Sequence, residues 1–381
     1  MQLKHRLCAG GFRAIAALRA DRWLRRLAQG RGVILMFHRV RPRRADLFAP
    51  NRVLEITPEF LECAIDEVRR EGYEIVPLNA VPERLAARVS SRPFAVLTFD
   101  DGYRDNVEHA LPVLKRHKAP WTLFVTADFA DGEGRLWWLE LEEAIARLNW
   151  VALHDGVRAK RSTRTSEEKQ AAFSAIHKSI RSGSEHRLRT IVADLSTQAG
   201  IDNARLVRQT CLAWDDLRSL ESEPGVTIGA HTISHPILAK LASKTATREI
   251  FGCKTVLERR LGRPIRHFAY PFGDRSSAGA REFQLACKAG FATAVTSRPG
   301  HLFPEHVNCL HALPRVSVNG LFQSRAALRA LLSGVPFLAW NGRRIASVET
   351  CAIQTDRGGA REAAALEAEE SQHESRRDQF P

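Results

Sequence analysis

At 381 residues, 44% hydrophobic and 26% charged, the chain can bury a large core, and its composition excludes wholesale disorder. The net charge of +14, carried mostly by arginine, asks for an anionic partner, a solubility role or a GC-rich coding bias. The seven cysteines (Cys8, Cys63, Cys211, Cys253, Cys287, Cys309, Cys351) are odd in number and form no C-x-x-C pair, which fits thiols in a reducing compartment better than a disulfide framework.

Residues 3–29 place Leu3, Leu7, Phe12, Ile15, Leu18, Trp23, Leu24 and Leu27 at mostly helical spacings. Up to Arg31 this stretch holds Lys4, Arg6, Arg13, Arg19, Arg22, Arg25 and Arg26, opposed only by Asp21. A basic amphipathic helix over residues 1–30 is expected, weakened at Gly10-Gly11, and able either to pack on the domain or to lie on an anionic membrane. Charged residues interrupt every candidate signal-peptide core, and no run of about 18 apolar residues occurs, so a cytoplasmic, at most membrane-peripheral, protein is expected.

Gly32–Val40 reads as a buried strand delivering His38 at its end. A helix over 58–71 starts at Pro58 and stops at Gly72, followed by a strand at Tyr73–Val76 and a helix at Val81–Val89. Phe94–Phe99 is a run of strand formers ending in Asp100-Asp101-Gly102. Strand residues alternate faces, so a turn at Gly102 is needed for both carboxylates to converge at the strand's C-terminal end, where parallel α/β folds bind ligands. A helix over 105–117 and a strand at Trp121–Thr126 complete a βαβ unit, which implies a parallel sheet.

Residues 135–220 break the rhythm with helical patterns at 139–148, 167–180 and 187–195, and are expected to be a helical insertion over the mouth of the main domain. Trp137 and Trp138 open it and can either pack or stack on sugar faces. Strands then recur at Val226–Ala230, Ile265–Tyr270, Thr293–Thr296 and Leu313–Val318, with helices at 243–261, 278–289 and 323–333. A main domain over 31–340 and a polar, disordered tail over 350–381 are expected.

The chemistry-bearing pieces follow strands: Asp100-Asp101, His231-Thr232-Ile233-Ser234-His235-Pro236, and Phe268-Ala269-Tyr270-Pro271-Phe272-Gly273. His235 precedes a proline, which favours extended backbone, so one strand end and one loop, not one helix face, are expected to supply the two histidines. Two imidazoles and a carboxylate match the open three-ligand arrangement of hydrolytic zinc sites, in which bound water reaches a pKa of about 7. A second carboxylate can then act as base instead of ligand. The same triad suits non-haem iron, so Zn2+, Co2+, Ni2+ and Fe2+ are all compatible.

Together these motifs resemble the polysaccharide deacetylase family, carbohydrate esterase family 4 with its nodulation-deacetylase homology domain, over roughly residues 30–320. The resemblance implies a distorted, seven-stranded, TIM-like (β/α) barrel that removes acetyl groups from N-acetylhexosamine glycans. It implies Asp100 as base, Asp101, His231 and His235 as metal ligands, the backbone N–H of Tyr103 as oxyanion donor, and Tyr270, Pro271 and Phe272 as substrate contacts. Two departures stand out. Ala269 occupies the position where many members carry an arginine that orients the base, with only Arg266 nearby, and the final strand reads Leu313-Pro314-Arg315-Val316 where a Leu-x-His is usual. In the branch resembling poly-β-1,6-N-acetylglucosamine deacetylases, a histidine on an N-terminal strand supplies the acid, which points to His38. A catalytically impaired glycan-binding protein is the competing expectation. Nucleic acid is not an expected partner, because no motif accompanies the charge.

Overall fold

Seven parallel strands close on themselves in sequence order: β1 (Gly32–Phe37), β2 (Phe94–Phe99), β3 (Trp121–Val125), β4 (Val226–Ala230), β5 (His267–Ala269), β6 (Thr293–Pro299) and β7 (Leu313–Ser317), with β7 pairing back to β1. This is a closed parallel (β/α) barrel, seen in a computed structural model that describes residues 2–87, 92–152 and 160–340. The tail expected over 350–381 and the end of the helix expected at Val81–Val89 lie outside the described residues.

The strands β1, β2 and β3 are buried along their whole length, as strands covered on both faces must be. One face of each points outward: Val33, Leu35, Phe37, Ala95, Leu97 and Phe99 join the core beneath the surrounding helices. The other fills the barrel, with Ile34, Val96, Phe124, Ala269, Val295 and Leu313 in one cluster. The alternation therefore fixes which residues reach the barrel's C-terminal mouth. Met36 and His38 continue the inward face of β1, Thr98 and Asp100 that of β2, and Arg315 and Ser317 that of β7.

The principal helices are α1 (Gln2–Ala17), α2 (Pro58–Arg70), α3 (Trp137–Arg147), α4 (Ser166–Ser182), α5 (Glu185–Gln198), α6 (Ser243–Leu261), α7 (Ala280–Lys288) and α8 (Arg325–Ser333). At the start of α2, Thr57 Oγ1 accepts the Phe60 N–H at 3.2 Å and Pro58 occupies the first turn, where no N–H partner is needed.

The single helix expected over 3–29 is divided into Gln2–Ala17, Ala20–Trp23 and Arg25–Ala28. The break is at Arg19, whose φ of +51° cannot continue a right-handed helix, while Gly10-Gly11 stays helical. Phe12 packs edge-on against Phe322 at 5.1 Å, but Leu18, Trp23 and Leu27 remain 69%, 64% and 64% exposed. Among the described residues no helix is long and apolar enough to cross a membrane.

Between β3 and β4, helices α3, α4 and α5 share their own apolar core, with Leu141, Ile145, Phe173, Ile176, Ile180, Val192 and Leu195 inside it. An antiparallel pair, Trp150–Ala152 with Lys160–Ser162, lies between α3 and α4, where only helices and polar stretches were expected. Arg44 Nη2 ties this region to the barrel by bridging Glu55 at 2.8 Å and Glu142 at 3.0 Å. Asn51 adds hydrogen bonds of 2.7 Å to the Glu142 carboxylate and to the Trp138 carbonyl.

Candidate active site

A cavity of about 420 Å³ opens at the C-terminal ends of the strands and is lined by His38, Asp100, Asp101, His231, His235, Tyr270 and Phe272. Three loops build it, and each contains strained backbone. Asp101 (φ +73°), Thr232 (+67°), His235 (+56°) and Phe272 (+60°) are left-handed, at a cost of about 1–3 kcal/mol apiece. The turn after β2 thus begins at Asp101 itself, one residue before the Gly102 that the sequence pointed to.

His235 was expected to be extended because of Pro236; instead it is left-handed, in a tight turn where its N–H donates to Thr232 Oγ1 at 3.1 Å. The end of β3 holds the same loop: His231 N–H donates to the Val125 carbonyl at 2.8 Å, and Thr126 Oγ1 donates to the His231 carbonyl at 3.0 Å.

Asp101, His231 and His235 are all buried, and one ligand atom of each lies within 4.8 Å of the others. Among the described residues this is the one such group of three or more. Asp101 Oδ1 is 3.4 Å from His231 Nε2 and 3.2 Å from His235 Nε2, yet it has no hydrogen-bond partner. The Nδ1–H of His231 donates to the Ala269 carbonyl at 2.7 Å, leaving the Nε2 lone pair facing the carboxylate. Lone pairs converging in a buried site repel one another, and a divalent cation is the group that resolves this; the donor set therefore fits a metal.

Asp100 is bound on both oxygens by Arg315, at 2.7 Å to each. Burial works against its ionisation, and the guanidinium overcomes burial and keeps the carboxyl below its ordinary value. Arg315 is itself 1% exposed and is fixed by hydrogen bonds to the Thr296 carbonyl at 2.8 Å and Thr98 Oγ1 at 3.2 Å.

His38 lines the same cavity, where burial lowers its pKa while Asp101 and Asp100 pull it upward. Tyr103 lies behind the turn, its ring fully buried, its hydroxyl accepting the Trp138 indole N–H at 2.9 Å and Arg39 stacked over it at 4.9 Å. Tyr270 donates through its hydroxyl to the His311 carbonyl at 2.8 Å, and the Phe272 ring packs on His235 at 5.1 Å. Pro271 links these two and accepts the Gly273 N–H at 2.7 Å.

Arg315 is the residue that sequence reasoning missed. Its signal was present in Leu313-Pro314-Arg315-Val316: an arginine inside a buried strand needs a buried anion, and Asp100 is inward at the mouth of the same barrel. Trp137, Trp138, His177 and Arg181, from α3 and α4, also line the cavity.

The family model for polysaccharide deacetylase matches residues 87–293, more than half of the chain. A search of curated proteins gave no match. Among solved structures, IcaB from Ammonifex degensii is 18% identical, with a TM-score of 0.51 over 80% of this chain and 97% of that one. The Streptococcus pyogenes deacetylase PplD is 17% identical, with a TM-score of 0.49 over 76% and 92%. The deacetylase domain of BpsB from Bordetella bronchiseptica is 14% identical, with a TM-score of 0.46 over 75% and 95%. The similarity to IcaB, at that identity, speaks to the fold alone.

Proposed function

This chain belongs to the polysaccharide deacetylase family and is a carbohydrate N-deacetylase, and from that premise we propose that it hydrolyses N-acetyl groups of an N-acetylhexosamine glycan in a metal-dependent reaction. The observation that carries the reading is the convergence of Asp101, His231 and His235 beside an Asp100 held ionised by Arg315. Asp101, His231 and His235 would hold the cation, most readily Zn2+, with Co2+, Ni2+ or Fe2+ compatible with the same donors. When bound, a divalent cation supplies Lewis acidity, making water acidic enough to react near neutral pH.

Asp100 takes the proton of the attacking water, and Arg315 keeps that carboxylate charged and aimed into the cavity. The backbone N–H of Tyr103, just past the turn, is the donor to the acetyl oxygen as negative charge develops there. His38 returns a proton to the departing amine. Burial lowers the His38 pKa, and the neighbouring carboxylates offset that only in part, so the proton is readily given up to the amine. Tyr270, Pro271 and Phe272 form the substrate wall next to His235.

A purely glycan-binding role was suggested by Ala269 and by the missing Leu-x-His. Arg315 and His38 supply both absent groups from other strands, which supports catalysis. Purified protein is expected to release acetate from acetylated chitooligosaccharides or poly-N-acetylglucosamine; absence of release across such a panel, with metal bound, would refute the proposal.

The proposed setting, independent of that chemistry, is the cytoplasm with at most peripheral contact to an anionic membrane. Cys8, Cys63, Cys211, Cys253 and Cys287 are free thiols, and Leu18, Trp23 and Leu27 are exposed among Arg19, Arg22 and Arg26.

A further inference from the structure

We propose that the helical region between β3 and β4 supplies a sugar-binding subsite, in which the Trp137 indole N–H and the Arg181 guanidinium donate to oxygen lone pairs of a neutral pyranose. This rests on the deacetylase reading above and names the residues that grip its substrate.

Trp137 is 5% exposed and lines the cavity, and its Nε1 is buried with no hydrogen-bond partner. Its neighbour Trp138 is also buried, but its Nε1–H is satisfied by the Tyr103 hydroxyl. A buried N–H left unpaired costs about 1–3 kcal/mol, so this one, on a residue that lines the cavity, calls for a partner from outside the protein.

Arg181 repeats the pattern from α4. Its Nη2 donates to Asp274 at 2.7 Å, while its Nη1 is buried without a partner. Its guanidinium lies 4.2 Å over the Phe272 ring, whose other neighbours are Trp137 at 6.1 Å and His235 at 5.1 Å. The two spare donors thus sit one aromatic ring away from the triad.

That arrangement selects the ligand. Asp274 neutralises Arg181, so the subsite has donors to spend but no net positive charge to attract an anion. Hydroxyl and ring oxygens meet this need, and Trp137 and Phe272 add apolar surface to the same cavity wall for the C–H side of a pyranose. The spacing suits the sugar that carries the acetamide: its ring rests against Phe272 and Trp137 while the acetyl group reaches the triad.

Trp137→Phe keeps the ring and removes the donor, and Arg181→Gln removes the charge and the second donor on a partly exposed helix position. Acetate-release kinetics on an acetylated chitooligosaccharide are measured for both, with metal content and melting temperature as controls. Calorimetric binding of the same oligosaccharide is measured in an Asp100→Asn background. The expected result is a KM and a Kd each raised about 3- to 10-fold per variant, the worth of one hydrogen bond, with kcat little changed. Wild-type KM and affinity in both variants, alongside an active wild-type enzyme, would overturn the subsite. A wild-type protein that neither binds nor deacetylates any acetylated glycan would instead remove the reading beneath it. Arg181→Gln decides the matter alone if Trp137→Phe does not accumulate as folded protein.

Discussion

Arg315, on the last barrel strand, binds both carboxylate oxygens of Asp100 at 2.7 Å from 215 positions away in sequence. A planar guanidinium matches a carboxylate in this two-pronged way and fixes its orientation as well as its charge. Since both side chains are almost wholly buried, neither can be served by water if the other is lost.

Replacing the partner therefore has two consequences. Arg315→Met is expected to destabilise the fold by about 3–5 kcal/mol, because it strands a buried charge. It is also expected to lower kcat by about 100-fold or more, by disorienting the base. The sign of the pH effect follows from the pair. Arg315 holds Asp100 below its ordinary value, so removing it raises that pKa and moves the acid limb of kcat/KM to higher pH. A pH–rate profile with an unmoved acid limb would separate Arg315 from the base.

The ligands and the base are distinguishable by metal content. Asp101→Asn, His231→Ala and His235→Ala are expected to lose both metal and activity. Asp100→Asn is expected to keep its metal while kcat drops by about 10²–10⁴. Elemental analysis of the four purified variants checks this, as does recovery of chelator-treated wild type with Zn2+ or Co2+. Full metal occupancy in His231→Ala is the outcome that breaks the assignment.

His38 is expected to matter in proportion to how badly the leaving group needs a proton. His38→Gln should reduce acetate release from an N-acetylated glycan by about 100-fold or more, yet spare hydrolysis of an aryl acetate, whose phenolate departs unaided. Equal losses on both substrates argue for a structural role.

Acid stability reports two other buried imidazoles. His301 accepts the Gly30 N–H on Nδ1 at 3.3 Å and donates from Nε2 to the Leu331 carbonyl at 2.9 Å, so protonation breaks the first bond. Burial pushes His301 and His267 down to about 4. The unfolded chain takes up these protons near pH 6.5 and the folded chain only near 4, so stability is full above that window and falls as pH drops through it. The melting temperature should be several degrees lower at pH 5 than at pH 7.5, and His301→Gln should shrink the difference.

Membrane contact is checked by sedimentation with vesicles. Binding to phosphatidylserine-containing vesicles, lost in a Leu18→Ser, Trp23→Ser, Leu27→Ser triple variant and weakened by salt, is expected. Equal binding by the triple variant would place the contact elsewhere or nowhere.

Much of this molecule could be read from local pattern. The strand runs Gly32–Phe37 and Phe94–Phe99, the Pro58 helix start and the motifs carrying Asp100, Asp101, His231 and His235 are all short-range features, set by residue type and spacing. Local propensity was outweighed elsewhere: Gly10-Gly11 stays helical, the chain breaks at Arg19, and His235 turns left-handed despite Pro236. The strand at Lys160–Ser162 exists only because Trp150–Ala152 lies beside it.

An arginine inside the buried strand Leu313–Ser317 signalled a buried anion, but not that the anion is Asp100. Arginine in Leu313–Ser317 becomes its partner only once the ring of strands closes, bringing β7 next to β1 and β1 next to β2. The same holds for Trp137 and Arg181, which reach the cavity because a separately packed group of helices is clamped against the barrel rim by Arg44 and Asn51. Residue type and spacing fixed the reacting groups themselves; chain closure and packing chose their neighbours, because pairing across hundreds of positions leaves no trace in local periodicity.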